Sequence, residues 1–222
     1  MFKILNYFIC NDQNNFVCPQ VVSMGADYRW HSSESVRNIA ANRPLKISPN
    51  LKAFHLDDNT KATDVIWQND IDTIGLLVSK RFSDSLSGYV IQAHETYRAE
   101  VVYREASFAY CWLHMVEELE DRIVFPKSEF FTANANGVDE IVEIRSREEM
   151  HEKAWLGLNS TNGPLLARKI AFPPDTPHFD LFCLRLVGHK YFASERLANE
   201  LTQRQLTGFN LDDTKTTFVF PP

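Results

Sequence analysis

The apolar residues of this chain fall into short runs rich in β-branched and aromatic side chains, each broken by a polar cluster, a Pro or a Gly. Such runs read as β-strands, because branched and ring side chains pack well on a pleated surface. They predict strands over Phe2–Ile9, Ala62–Trp67, Thr73–Val78, Tyr97–Tyr103, Ser107–Met115, Ile141–Ile144, Leu165–Phe172, Phe179–Leu186 and Thr216–Phe220. Helical signals are scarcer, at Ser33–Ala41, Ser79–Leu86 and Ser194–Leu201. The expected class is α+β, mostly antiparallel sheet with a few short helices.

With 222 residues, 44% of them hydrophobic, the chain can bury a sizeable core without a disulfide or metal staple. That length suits a single domain over 1–222, or two packed halves of about 1–130 and 131–222 joined through the loose stretch Asp121–Asp139. Two segments echo each other. Ser79-Lys80-Arg81-Phe82 through Leu86 matches Ser194-Glu195-Arg196-Leu197 through Leu201. Each reads as an extended segment ending on a Ser N-cap, whose hydroxyl can accept from an orphan amide of the first helical turn. In each, two apolar residues four apart share one helix face. Gly88 and Gly208 follow, each suited to a left-handed residue that ends a helix. The echo fits either duplicated halves or two ordinary capped helices. Pro173-Pro174-Asp175-Thr176-Pro177 reads as a rigid loop between strands.

Charge narrows the choice of partner. Lys plus Arg number 23 and Asp plus Glu 29, a net charge of −6. A net negative protein repels phosphate backbones, so no nucleic-acid partner is expected. The same balance would steer a basic protein. No run approaches the roughly 20 apolar residues that span a bilayer, and the N-terminus lacks a small-residue cleavage site, so a cytoplasmic protein without a membrane partner is expected. Its cysteines, Cys10, Cys18, Cys111 and Cys183, would then be reduced thiols, the last two inside apolar runs. For the same reason Asn159-Ser160-Thr161 carries no meaning as a glycosylation signal.

No catalytic constellation stands out. His114-Met115-Val116-Glu117-Glu118 begins like a zinc motif, but Glu118 stands where a second His is required. His151-Glu152 has Trp155 at the position of its second His. No cofactor, metal or catalytic residue is expected. The acidic run Glu117-Glu118-Leu119-Glu120-Asp121 is the candidate partner-binding feature: Glu117, Glu118, Glu120 and Asp121 read as a contact patch for a basic partner, or as a solvated face. Asp57-Asp58 and Asp212-Asp213 are weaker versions. Tyr28, Trp30, Trp67 and Trp155 are candidate interface anchors.

Three ordered patches resemble a known family. The run Leu76–Phe82 looks like its "livSerlk" segment. Ser107–His114, with Glu120-Asp121 and Lys127–Phe130, is similar to its central strand, acidic turn and "kS.f" segment. Phe179–Phe182, Phe192–Leu197 and Leu206–Phe209 resemble its C-terminal ending. The family is that of the bacterial polymorphic-toxin immunity proteins of the immunity protein 11 type, formerly a domain of unknown function. The similarity covers roughly residues 60 to 213; the Cys111-Trp112 pair and the Glu-rich turn depart from the pattern. The resemblance implies stoichiometric neutralisation of a cognate toxin and offers no catalytic residue. Two other functions remain open: a hydrolase using His114 and Glu117, and an interaction subunit of a secretion system.

Overall fold

The computed structural model describes residues 1–7, 21–25, 27–39, 43–52, 54–56, 61–68, 71, 74–133, 139–158 and 163–220. Cys10, Cys18, Asp57-Asp58 and the Asn159-Ser160-Thr161 sequon lie outside the described residues. In chain order the strands are β1 (Phe2–Tyr7), β2 (Val21–Met24), β3 (Phe54–Leu56), β4 (Val65–Ile66), β5 (Gly75–Ser79), β6 (His94–Tyr103), β7 (Ala106–Met115), β8 (Glu129–Ala133), β9 (Asp139–Val142), β10 (Leu165–Ala171), β11 (Leu181–Leu184), β12 (Lys190–Ser194), β13 (Phe209–Asp213) and β14 (Thr217–Val219). The helices are α1 (Lys80–Ser85), α2 (Arg147–Leu158) and α3 (Glu195–Gln203).

The fold is α+β, as the strand runs predict. One sheet has the order β11-β12-β1-β13, a second β14-β10-β8-β9, and a six-stranded third β2-β3-β6-β7-β5-β4. Pairing is antiparallel except between β3 and β6 and between β10 and β14. The first sheet is covered on both faces. Leu5, Leu181, Cys183 and Ala193 point into a core shared with β5, β7, α1 and α3. Phe2, Ile4, Phe182, Leu184 and Phe192 point the other way, against β8, β10 and Met150 of α2. Burial on both faces explains why Leu181–Leu184 is uniformly apolar and does not alternate. Phe182 sits among rings, edge-on to Phe2 at 5.4 Å and stacked on Phe192 at 5.3 Å. A third core, around Phe54, Trp112 and Val101, fills the far face of the six-stranded sheet. No helix of the described residues is long and apolar enough to cross a membrane.

Several local expectations are corrected. Ser33–Ala41 gives only a single 3-10 turn at Val36–Asn38 among the described residues. There the Asn38 side chain donates to the carbonyls of Ser32 and Ser33, a local bond that competes with helix propagation. Within Asp121–Asp139, read as a loose connection, Glu129–Ala133 is β8, paired with both β9 and β10. The first sheet draws β1 from the N-terminal end and β12 and β13 from the C-terminal end.

The echo between Ser79 and Ser194 has a structural counterpart that extends well past the caps. Each Ser accepts from the amide three residues on, Ser79 from Phe82 and Ser194 from Leu197, both at 3.2 Å. Each also donates to an aspartate at the start of the preceding hairpin strand: Ser79 to Asp64 at 2.7 Å and Ser194 to Asp180 at 2.6 Å. The Arg two residues after each Ser reaches the same carboxylate, Arg81 to Asp64 and Arg196 to Asp180. Each Asp then crosses to the other unit. Asp180 accepts from the Val90 amide, beyond α1, at 2.9 Å; Asp64 accepts from the Thr207 amide, beyond α3, also at 2.9 Å. Two strand–turn–strand–helix units are therefore latched reciprocally, with Phe82 and Phe209 packed edge to face between them.

The glycines differ in use. Gly208, at φ +95°, allows Val65 to come close enough that a Cβ would lie 2.1 Å from its carbonyl oxygen. Helix α3 itself is closed by Gln205, left-handed at φ 52°. The Gln205 and Leu206 amides bond back to the carbonyls of Thr202 and Leu201 in the double-bonded C-terminal pattern.

Candidate functional site

The acidic run does not form a bare negative face. It makes a 3-10 turn over Leu119–Arg122, clamped between α2 and the segment after β11. Glu117 accepts from Arg122 Nε at 2.6 Å, and Arg122 also lies 3.9 Å from Asp175. Glu118 is bound by Arg147 and lies 3.9 Å from Arg185. Asp121 pairs with Arg147 Nε at 2.8 Å. Glu120 turns inward, 1% exposed, where its Oε1 accepts from the Leu186 amide at 2.8 Å. Its Oε2 is buried and has no hydrogen-bond partner among the described residues. Three carboxylates thus face guanidinium groups, and the fourth lies inside.

Burial is the main influence on Glu120 and raises its pKa, against the lowering effect of backbone hydrogen bonds from Leu186 and Arg185. A carboxyl whose pKa is raised by folding favours the fold when protonated. That contribution is complete below the unfolded value of about 4.3 and is lost as pH rises through the folded pKa. Glu120→Gln keeps the acceptor and removes the charge. It is expected to stabilise the protein by on the order of 1 kcal/mol at pH 7, with the gain vanishing near pH 4. Urea unfolding at the two pH values measures this; a variant less stable than the parent at pH 7 would contradict it.

His114 and Glu117, the hydrolase pair, are held in different settings. His114 is fully buried in β7, its ring 6.2 Å from that of Tyr97, while the Glu117 carboxylate is engaged by Arg122. Burial raises the pKa of the Cys111 thiol, and carries that of the completely buried Cys183 well above its ordinary value. Both are therefore poor nucleophiles at neutral pH. No group of three or more His, Cys, Asp or Glu among the described residues could hold a metal ion. Of the aromatic candidates, Tyr28 is buried and Trp30 half-buried against it, whereas Trp67 and Trp155 are 41% and 63% exposed.

A feature with no linear signature lies on the six-stranded sheet. Thr96, Arg98 and Glu100 of β6 and Ser107, Ala109 and Cys111 of β7 share one face by register. The first sheet covers this face at the Leu113–Met115 end of β7, and beside α1 an open groove of about 680 Å³ remains. Ser79 sets one wall by capping α1, which aims Lys80 and Asp84 at the groove as an i,i+4 pair 2.7 Å apart. The other wall is the Leu51-Lys52 segment, tied to β6 by the Glu100 amide donating to the Leu51 carbonyl at 2.8 Å. Glu100 accepts from Ser107 Oγ at 2.7 Å. Its residues come from four separated stretches, so spacing could not reveal them.

No family model matches the chain, and no curated protein matches it.

Proposed function

We propose that this chain is an immunity protein that binds a cognate bacterial toxin domain one to one in the cytoplasm and blocks it by occlusion. What supports the reading is where the three resembling patches fall. Leu76–Phe82 carries the Ser79–Asp64 latch, and Phe192–Leu197 with Leu206–Phe209 carries the Ser194–Asp180 latch and its return. Ser107–His114 forms the strand between the groove and the third core, and Glu120-Asp121 the clamped turn. The patches together specify a rigid frame, which is what a stoichiometric inhibitor needs, since ordering costs subtract from affinity. The net charge of −6 suits a basic toxin domain and would speed encounter with it. Co-expression with the toxin domain encoded beside this chain tests the reading. Cells are expected to survive only when both are made, and killing that continues despite soluble, folded protein would overturn it.

A further inference from the structure

Among the described residues, cations in the groove over β6 and β7 are not all spent. Lys80 is paired with Asp84, and Glu100 is bonded to Ser107, but neither Arg98 on the floor nor Lys52 on the wall pairs with a carboxylate. Both are exposed. The clamped acidic turn is the reverse case, its charges already matched by Arg122, Arg147 and Arg185. Electrostatic complementarity at an interface is read by charges that still lack a local partner.

We infer that the groove is the partner-contact site and takes an extended acidic segment of the bound protein, whose carboxylates meet Arg98 and Lys52. The inference deepens the immunity reading, on which it rests for the partner's identity. Three observations set the chemistry. The groove is open and its floor and walls carry the ionisable side chains Arg98, Glu100, Lys52, Lys80 and Asp84, unlike the enclosed cavities with few polar groups that hold small molecules. The floor from Thr96 to Glu100 gives room for about four residues of extended chain at ~3.3 Å each. Asp84 and Glu100 alternate with the cations, which disfavours a continuous phosphate backbone and favours a segment with spaced carboxylates. The overall acidity still steers a basic partner at long range, while the groove reads one local stretch of it.

The test has two arms. In the first, NMR follows the ¹⁵N-labelled chain titrated with a capped acidic pentapeptide, Thr-Glu-Val-Glu-Thr, and with its counterpart carrying Lys for Glu. The acidic peptide is expected to give saturable shifts along Thr96–Glu100 and Ser107–Cys111. The Lys peptide should give none, and Arg98→Glu with Lys52→Glu should abolish the shifts without changing the melting temperature. Equal binding of both peptides, no saturation, or shifts confined elsewhere would overturn the inference. In the second arm the doubly reversed variant is co-expressed with the neighbouring toxin domain. It should bind at least about tenfold more weakly and protect poorly, whereas Arg98→Lys with Lys52→Arg should protect. If the reversed variant protects like the parent, the groove assignment fails and the immunity reading stands. If the parent itself does not protect, the immunity reading fails and the peptide arm alone decides the groove.

Discussion

Asp180→Ala is expected to cost about 3 kcal/mol of stability and roughly 10 °C of melting temperature, far more than a typical surface carboxylate. Asp180, whose side chain is 6% exposed, serves four roles at once. It accepts from the Val90 amide and from Ser194 Oγ, pairs with Arg196, and its backbone carbonyl receives the Ser194 amide at 2.7 Å. Alanine keeps the last contact and removes the others, leaving a part-buried amide without its acceptor. Arg196 is 61% exposed and can return to water, so the ion pair itself contributes little of the loss. Asp64→Ala removes the equivalent bonds to Ser79 and Thr207 and should lose a similar amount. Acidity follows the same logic. Burial works against the Asp180 carboxylate, but hydrogen bonds from Arg196, Ser194 and Val90 outweigh it and hold its pKa below the ordinary value. Its stabilisation is complete above the unfolded pKa of about 3.9 and is lost as pH falls further through the folded pKa. Denaturant unfolding at pH 7 and pH 3 should show the gap between parent and Asp180→Ala closing in acid. A variant within 0.5 kcal/mol of the parent at pH 7, roughly the range of ordinary surface changes, would show that the latch does not hold the two units.

Gly208→Ala should be more damaging still, by about 4 kcal/mol or more, while Gly88→Ala at the matching place after α1 should cost only about 1–2 kcal/mol. Both glycines have positive φ, +95° and +84°. A Cβ on Gly88 meets nothing within 4 Å. On Gly208 it would lie 2.1 Å from the Val65 carbonyl oxygen and 2.6 Å from Thr63 Oγ1. Neither atom can retreat easily, because Thr63 Oγ1 donates to that same carbonyl and the Val65 amide bonds to the Thr207 carbonyl at 3.0 Å. Thermal melts of the two variants separate left-handed strain, which both share, from close approach, which only Gly208 has. Equal melting temperatures would mean the two units are not held this tightly.

Much of this architecture is legible in the residues because its chemistry is local. The caps at Ser79 and Ser194 and the apolar pairs behind them announce α1 and α3, and runs of aliphatic and aromatic residues announce β5, β7 and β10. The latch aspartates stay hidden because each reaches its Ser across a hairpin and its second partner across the molecule; only the similar intervals from Asp64 to Ser79 and from Asp180 to Ser194 hint at them. Helix α2 is missed because its apolar residues do not share a face: Met150 is buried while Trp155 and Leu156 are exposed. Strand β8 is missed because Pro126 and the Asn residues around it read as loop. The acidic turn looks like a free patch in sequence because Arg147 and Arg185, which neutralise it, are distant along the chain.

The most direct measurement of the proposed action is a titration, with this chain, of the activity of the toxin domain proposed as its partner. Inhibition by occlusion predicts a linear fall to zero at one equivalent, and recovery of activity when the complex is dissociated. Complete inactivation at far below one equivalent, or undiminished activity at a large excess, would contradict it.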